Sequence, residues 1–546
     1  MRLLRNLSVV SGFTLLSRIM GFVRDMLTSR ALGAGSVADI FFQALTIPNT
    51  FRRILAEGAF NAAFVPLYAK TDEGDGRDAA DRFASEALSF LVTVTFGVVV
   101  LFQLAAPWLV YVFFPGLSDD PTGRVLAVLL LQITMPYLLC MAVTALISGV
   151  LNSQGRFAVA AAAPTLFNVV LISLLVYATY IRPVTPDILV TWLSAGVTLS
   201  GVMQAAWLWL SARQAKLSIR FKMPQLTPKV ARLIKLGVPG ALAAAATQIN
   251  VLVTSSIATL EEGARSWLYY AERLYQLPLG VIGIAMGVAL LPNLSRRVRA
   301  GDKVGGDYAM NRAIELSLLL TVPAAVAFVF IPDFLVRGLF EGGHFTSLDT
   351  ARTAPVLILY GLGLPAFVLV KVLAPGFFAR EDTKTPMQYA MASMVLNLVV
   401  GVGLFFGGMG YLGLAVATTL AGWLNAGLLA FTLYRKDLLV LDQGSKSRLP
   451  RIMLAALAMG AGCWALVYMG LPALAQVWDY TALPLDRPLV MAATVLAGGV
   501  IFGGVALGIR AVSPRDLRQA LKSGPKTPSE PKLETPSGQD DSVSKA

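Results

Sequence analysis

The sequence predicts an all-α polytopic membrane protein, and three observations support this fold class. Hydrophobic residues fill 56% of the 546 positions, charged residues fill only 14%, and the mean hydropathy is +0.67. Apolar runs of about 18 or more residues, long enough to cross a bilayer as a helix, recur along the chain. The segments of roughly ten alternating residues that are typical of a transmembrane β-barrel are absent from the sequence.

Fourteen transmembrane helices account for the apolar runs. Their predicted ranges are 8–30, 38–68, 85–114, 124–151, 157–181, 187–212, 231–259, 266–295, 311–340, 352–378, 386–406, 411–434, 451–471 and 488–510. We expect the first helix to be retained rather than cleaved as a signal, because Arg18 and Arg24 interrupt it and no small-residue cleavage site follows. An even number of helices places both termini on one side of the membrane.

The distribution of basic residues predicts that this side is the cytoplasm. Most of the 45 lysine and arginine residues fall in the termini and in the loops on that side, as the positive-inside rule requires. Residues 211–235, between the sixth and seventh predicted helices, contain seven basic and no acidic residues. An alternative function for this segment is contact with anionic headgroups. The topology signal accounts for the net charge of +13 without nucleic acid as a partner.

A six-helix unit occurs twice in the chain. The matching pairs are Pro66 with Pro292, Gly149 with Gly376 and Asn168 with Asn397, at offsets of 226, 227 and 229 residues. Because a unit with an even number of helices keeps its orientation when it is repeated, the repeat is parallel. Gly149 and Gly376 each precede an inner loop and are candidate hinges.

The repeat and the composition predict four regions. They are an N-terminal lobe at 1–215, a C-terminal lobe at 216–440, two further helices at 441–511 and a disordered cytoplasmic tail at 512–546. The tail is rich in Pro, Ser, Lys and Glu, a composition that cannot bury enough apolar surface to fold. A cavity between the two lobes is where a transporter would hold its cargo.

Five arginines interrupt the apolar stretches: Arg18, Arg24, Arg52, Arg53 and Arg273. A central arginine that faces lipid costs roughly 2.5–3.5 kcal/mol, so the five together would cost on the order of 15 kcal/mol. The sequence therefore predicts a water-filled, cationic cavity inside the helix bundle. Such a cavity suits an anionic cargo, because a guanidinium keeps its charge and donates two parallel hydrogen bonds to a phosphate.

An alternative is that some of these arginines are salt-bridged packing groups between helices. Arg53 and Glu57 are four residues apart on one helix face, and Arg24 adjoins Asp25. Arg18, Arg52 and Arg273 have no acidic residue three or four positions away, which favours the cavity for them.

Two further residues are open to two interpretations each. Lys371, inside the predicted helix at 352–378, is either another cavity cation or a lysine that extends towards the membrane surface. Asp39, at the outer start of the predicted helix at 38–68, is either a site residue or the N-cap of its own helix.

Residue types that carry chemistry are scarce. Cys140 and Cys463 lie in apolar runs and His344, the only histidine, lies in a loop, so the sequence predicts no disulfide framework, metal site or cofactor. There is also no paired set of catalytic carboxylates and no phosphate-binding P-loop in the sequence. We expect a protein that moves or binds its cargo, and not an enzyme.

Long motifs in this chain resemble those of the MurJ (MviN) lipid II flippase family. They are SRIMGFVRDMLTSRALGAGSVADIFFQALTIPNTFRRILAEGAFNAAFVPLYAK, WLYYAERLYQLPLGVIGIAMGVALLPNLSRR and KVLAPGFFAREDTKTP. The resemblance covers residues 5–440, and the helix count extends it to the rest. It implies the fold of the multidrug/oligosaccharidyl-lipid/polysaccharide exporter superfamily and a location in the bacterial inner membrane.

The resemblance also implies a function and its residues. The cargo would be lipid II, an undecaprenyl-diphosphate-linked disaccharide-pentapeptide, carried from the cytoplasmic to the periplasmic leaflet by alternating access. The family's cavity arginines match Arg18, Arg24, Arg52 and Arg273. Supporting positions in the family match Asp25, Asp39, Asn49, Arg53, Glu57, Ser266 and Lys371. The helices at 441–511 resemble the family's groove for the lipid tail.

The chain departs from the family at two places. Gln276 stands where some members have an acidic residue. The predicted helix at 231–259 lacks the aspartate with which some members bind sodium, so we expect no sodium site there.

Two alternative functions remain open from the sequence. One is a cation-coupled multidrug exporter or another lipid-linked oligosaccharide exporter of the same superfamily, and a drug antiporter would be expected to have a cavity lined mainly by carboxylates. A non-transporting scaffold for cell-wall synthesis proteins would use the arginines only to join helices. Membrane lipids are expected partners in every case.

Overall fold

The computed structural model describes residues 2–55, 59–285, 290–471 and 486–511. The regular elements in these ranges are helical. The first set of helices is α1 (Arg2–Leu32), α2 (Ser36–Leu55), α3 (Ala59–Asp75), α4 (Arg77–Phe113), α5 (Pro121–Thr134), α6 (Pro136–Ser153), α7 (Phe157–Val176) and α8 (Pro186–Gln214). The second set is α9 (Pro228–Ala258), α10 (Ala264–Ala285), α11 (Leu291–Arg299), α12 (Lys303–Phe330), α13 (Pro332–Phe340), α14 (Ser347–Phe378), α15 (Lys384–Leu404) and α16 (Tyr411–Arg435). The last two helices are α17 (Gln443–Ala465) and α18 (Asp486–Gly508).

Within these ranges, eleven helical segments are long and apolar enough to cross a membrane, judged by length and composition. α1, α2 and α10, which carry the arginines, fall outside that set. The protein is therefore a multi-pass, all-helical membrane protein, and the predicted fold class is confirmed at this level.

Side-chain caps explain where several helices begin. Asp120, Thr227, Asp302 and Asp442 each accept a hydrogen bond from a backbone N–H in the first turn of α5, α9, α12 and α17. α14 begins with a capping box, in which Thr346 and the side chain three residues later satisfy each other's backbone donors. These caps replace hydrogen bonds that a helix cannot make at its own start.

The predicted helix at 311–340 is wrong in its second part. α12 ends at Phe330, because Ile331 has non-helical dihedral angles and Pro332 has no N–H to continue the helix. The predicted helix at 124–151 is likewise divided into α5 and α6 before Pro136, although together they form one membrane-spanning segment. The predicted helices at 38–68 and 266–295 cross positions outside the described residues.

Matching features recur at the spacing of the predicted repeat. α7 and α15 each continue into a single π-helical turn, at Tyr177–Ile181 and Phe405–Met409, which are 228 residues apart. α6 contains Gly149 and α14 contains Gly376, both in uninterrupted helix.

A buried apolar core joins the two sets of helices and positions the site. It contains Phe42 and Ile47 of α2 together with Tyr269 and Tyr270 of α10. The rings of Phe42 and Tyr269 stack with their centroids 4.0 Å apart. This packing holds α2 and α10 side by side, so that their polar residues face a common space.

Candidate functional site: a cationic central cavity

A cavity of about 520 Å³ lies between helices of the first set and α9 and α10 of the second. Its walls are mixed polar and apolar. The guanidinium groups among its described lining residues belong to Arg24, Arg52, Arg53, Arg265 and Arg273, whereas the only described carboxylate in the lining is that of Glu272. The cavity therefore carries an excess of positive charge.

Asp25 joins the arginines of the two helix sets. This residue is 3% exposed, and its Oδ1 accepts from Arg24 Nη2 over 2.7 Å, from Arg24 Nε over 3.1 Å and from the Tyr269 hydroxyl over 3.1 Å. Its Oδ2 lies 3.5 Å from Nε of Arg273. One carboxylate thus serves two guanidinium groups, so it neutralises only half of their combined charge. Arg24 and Arg273 also line the cavity, and the side chain of Arg273 is 32% exposed.

Second contacts fix the direction of each guanidinium. Arg24 Nη1 donates to Asn168 Oδ1 of α7 over 3.0 Å, and its Cζ lies 5.2 Å from the Phe167 ring centroid. Arg273 Nη1 donates to Gln276 Oε1 over 3.2 Å, and its Cζ lies 4.3 Å from the Tyr269 ring centroid. Such cation–π and amide contacts hold a guanidinium in place without cancelling its charge.

α2 contributes a second group of donors. Arg52 Nε donates to Asn49 Oδ1 over 3.2 Å, and Asn49 is held by its own bond to the Leu45 carbonyl. Arg53 lines the same cavity and is exposed. Pro48 lies one turn earlier in α2. Glu57, the predicted partner of Arg53, lies outside the described residues.

Sequence reasoning missed Arg265, which is 7% exposed and lines the cavity. Its Nη2 donates to Thr46 Oγ1 of α2 over 2.8 Å. One face of α10 carries polar and aromatic residues at helical spacing, namely Arg265, Tyr269, Glu272 and Gln276. This spacing could have identified Arg265 from the sequence. It was missed because the predicted helix began at residue 266, which left Arg265 in a loop.

Asp39 connects α2 to the start of α10. Its Oδ2 accepts from the Gly263 backbone N–H over 2.7 Å, and its Oδ1 accepts from the backbone N–H and the hydroxyl of Ser266 over 2.8 and 2.5 Å. Both Asp39 and Ser266 are buried. Asp39 therefore caps α10 and not its own helix, and the sequence-based N-cap interpretation was wrong because it considered only local partners.

The remaining predicted residues lie away from the lining. Arg18 is exposed, and its guanidinium occupies the place that a side chain at Gly280 of α10 would take. Lys371 is exposed on α14. A Cβ at Gly376 would come within 2.6 Å of Met310 Cε, and one at Gly149 within 3.2 Å of Asn61 Oδ1, so both glycines lie at close helix contacts. The roles of these four residues stay predictions.

The helical fold and the polar cavity between its two helix sets define a class of protein, the multi-pass helical membrane proteins with a central polar cavity. A solved structure described as an inward-facing multidrug resistance MATE family transporter of the MOP superfamily shares the fold with a TM-score of 0.64 at 13% identity, over 79% of this chain and 98% of that one. A structure described as lipid II flippase MurJ in an inward closed conformation matches with a TM-score of 0.75 at 24% identity, over 93% of this chain and 99% of that one.

The family follows from sequence matches. The model of the family described as lipid II flippase MurJ matches residues 28–485. The probable lipid II flippase MurJ of Rhizobium meliloti (strain 1021) is 41% identical over 532 residues, 96% of this chain and 97% of that one. The lipid II flippase MurJ of Burkholderia cenocepacia is 32% identical over 516 residues, 92% of this chain and 97% of that one. The chain belongs to the lipid II flippase MurJ family, a family of transporters and not of enzymes.

Proposed function

We propose that this protein translocates lipid II from the cytoplasmic to the periplasmic leaflet of the bacterial inner membrane by alternating access. The main observation behind this proposal is that Arg24 and Arg273, which belong to different helix sets, both contact the carboxylate of Asp25 beside the cavity. The names of the relatives and the family support the choice of cargo.

The topology of the proposal has fourteen transmembrane helices with both termini in the cytoplasm. Residues 1–215 and 216–440 form the two lobes, residues 441–511 line the groove for the lipid tail, and residues 512–546 form a cytoplasmic tail. The basic loop at 211–235 supports this orientation.

In the proposed binding step, the diphosphate meets Arg24, Arg52 and Arg273 in the cavity. Because Asp25 satisfies only part of the hydrogen-bonding capacity of Arg24 and Arg273, each guanidinium keeps donors for phosphate oxygens. The low dielectric around a partly enclosed cavity strengthens these bonds relative to water. Arg53 and Arg265 add positive charge at the cavity wall. Arg18 and Lys371 would act at another stage of the cycle, since both lie outside the lining in this conformation.

In the proposed transport step, the two lobes rock about their interface. The bonds of Asp39 to Gly263 and Ser266 join the starts of α2 and α10. In the proposed topology both helix starts lie on the outer side, so these bonds would hold that side of the cavity closed. Opening outward requires these bonds to break. Gly149 and Gly376 are the positions at which we propose that α6 and α14 bend.

The competing functions are less well supported. A multidrug exporter of the same superfamily would need a cavity in which carboxylates are the main charged groups, whereas arginines outnumber carboxylates among the described lining residues. A scaffold that uses arginines only to join helices would leave them fully neutralised, whereas Asp25 is shared by two of them. Contacts with cell-wall synthesis proteins are compatible with the proposal and are not required by it.

The test is complementation of a strain depleted of this protein, with lipid II on the inner leaflet as the readout. Wild type should clear the accumulated precursor. Arg24→Ala and Arg273→Ala should fail to do so at normal abundance, and the Arg→Lys variants should rescue poorly if the two-pronged guanidinium is needed. Arg182→Ala, at an exposed arginine outside the cavity, is the matched control and should rescue fully. Full rescue by both cavity variants would refute the cavity mechanism, and failure of wild type would refute the cargo.

A further inference from the structure

The connection between the two helix sets is an extended strap, residues 216–227, that lies along α4. Backbone N–H groups at alternate positions donate to α4 side chains: Ser218 to Asp81 Oδ2 over 2.8 Å, Arg220 to Ser85 Oγ over 3.0 Å and Lys222 to Ser89 Oγ over 2.9 Å. The register matches, because two extended residues rise about 6.6 Å and four helical residues rise about 6.0 Å.

The serine side chains of α4 are oriented to accept hydrogen bonds from the strap. The Ser85 hydroxyl donates to the Asp81 carbonyl over 2.7 Å, and the Ser89 hydroxyl donates to the Ser85 carbonyl over 2.8 Å, so each keeps a lone pair for a strap N–H. Leu217 and Ile219 of the strap are buried in an apolar core with α4. The strap is therefore docked by its backbone and by two apolar side chains, without using its basic side chains.

The docking sets the depth of the strap in the membrane. α4 has 37 residues and a length of roughly 55 Å, much more than the hydrocarbon core of about 30 Å. Its charged residues end at Glu86, and residues 87–113 carry no charge. The bond to Ser89 thus brings Lys222 level with the start of the apolar part of α4. The chain then turns back, since the Thr227 hydroxyl donates to Glu86 Oε2 over 2.8 Å.

The turn between these two contacts, residues 223–226, is the tip of the strap. Its Met223 and Leu226 are 83% and 70% exposed, and the adjacent Phe221 is 57% exposed, although alternation from Leu217 and Ile219 would bury it. Large apolar side chains exposed together mark a surface that contacts something other than water. Basic residues surround the tip, and no acidic residue lies in 211–235.

We propose that the tip of the strap inserts into the headgroup region of an anionic phospholipid surface. The apolar side chains at the level of the membrane boundary supply insertion, and Arg220, Lys222 and their basic neighbours supply attraction to phosphate groups. The contact anchors the connection between the two helix sets to the bilayer. It does not depend on which cargo the cavity carries.

The experiment uses the full-length protein with Cys140 and Cys463 replaced by alanine, reconstituted in nanodiscs. An environment-sensitive fluorophore is attached through Met223→Cys or, as an aqueous reference, through Glu73→Cys at the exposed end of α3. Quenching by aqueous iodide is measured in phosphatidylcholine alone and in phosphatidylcholine with phosphatidylglycerol. We expect quenching of the Met223→Cys probe to fall severalfold when phosphatidylglycerol is present, and that of the reference to stay high.

The charge is tested separately with Arg220→Gln and Lys222→Gln in the labelled protein. Docking on α4 should persist, because it uses backbone donors at these positions, while the protection by phosphatidylglycerol should be lost. A Met223→Cys probe quenched as strongly as the reference in both membranes would overturn the insertion. Equal protection in both membranes, or protection that survives the charge removal, would overturn the preference for anionic lipid.

Discussion

The first helices of the two sets, α1 and α9, each donate a side-chain hydrogen bond to an asparagine, but the donor is a charged guanidinium in α1 and a neutral amide in α9. Arg24 Nη1 of α1 donates to Asn168 Oδ1 of α7 over 3.0 Å, and Asn250 Nδ2 of α9 donates to Asn397 Oδ1 of α15 over 3.1 Å. The asparagine acceptors correspond in the predicted repeat, and the donors are 226 residues apart, which is the offset of Pro66 from Pro292. Next to Arg24 lies Asp25, whereas next to Asn250 lies Val251.

The difference separates packing from charge. A neutral amide is sufficient to connect the first helix of a set to the helix that carries the asparagine, so packing alone does not require a guanidinium at position 24. Arg24 lines the central cavity and Asn250 is not among its lining residues. We infer that the guanidinium of Arg24 in α1 serves the cavity, and that Asp25 is present because a buried guanidinium needs a counter-ion.

Of the substitutions that test this comparison, Asp25→Asn should have the largest effect on stability and transport. It removes the only carboxylate that contacts both Arg24 and Arg273 among the described residues. Loss of one partner from a buried ion pair leaves an uncompensated charge, and we expect the free energy of unfolding to fall on the order of 3 kcal/mol. Denaturant unfolding of the purified protein measures this loss, and complementation should fail. A change of less than about 0.5 kcal/mol would mean that the cavity water already stabilises both guanidinium groups.

Arg24→Gln should separate the hydrogen bond from the charge. The amide still has a donor for Asn168, so we expect the free energy of unfolding to change by only about 1 kcal/mol, while lipid II export is lost. Asn250→Gln in α9 is the matched control and should retain export. If Arg24→Gln rescues the depleted strain as well as wild type, the charge on α1 is not needed and the comparison fails.

Alanine substitutions at the two asparagine acceptors should have smaller effects on the free energy of unfolding, and the effect should be larger in the first helix set than in the second. Asn168→Ala removes a bond to a charged group and the bond to the Ser17 carbonyl, and should cost about 1.5–3 kcal/mol with reduced export. Asn397→Ala removes bonds to the neutral Asn250 and Thr418, and should cost about 0.5–1.5 kcal/mol with export unchanged. Thermal unfolding and complementation of both variants, side by side, measure the difference. Equal costs would show that the charge of Arg24 adds nothing to its bond.

Lys371→Ala should have the smallest effect. The side chain is exposed on α14 and lies outside the cavity lining, so we expect the free energy of unfolding to stay within about 0.5 kcal/mol of wild type. Export at normal abundance is the deciding readout. Its loss would favour the supporting role that the family resemblance assigns to Lys371, exercised in a different conformation of the cycle.

Sequence reasoning reached the helices and several cavity residues for identifiable reasons. Arg24, Arg52, Arg53 and Arg273 were found because arginine inside an apolar run is costly in lipid and therefore conspicuous, and the structure brings all four to one cavity. Arg265 was missed because it lies at a helix start, where a charged residue is unremarkable. The end of α12 at Phe330 was misplaced because an apolar run continues through Pro332.

By itself, the sequence determined that the chain crosses the membrane many times as helices, because apolar runs of this length have no other stable conformation in lipid. Only the tertiary structure decided which charges meet. Asp25 and Tyr269 are separated by 244 residues and Asp39 and Ser266 by 227, yet each pair is hydrogen-bonded. Helical periodicity specifies which face of one helix is polar, but it carries no information about which distant helix packs against that face. The sharing of Asp25 by two arginines therefore follows from the packing of α1 against α10.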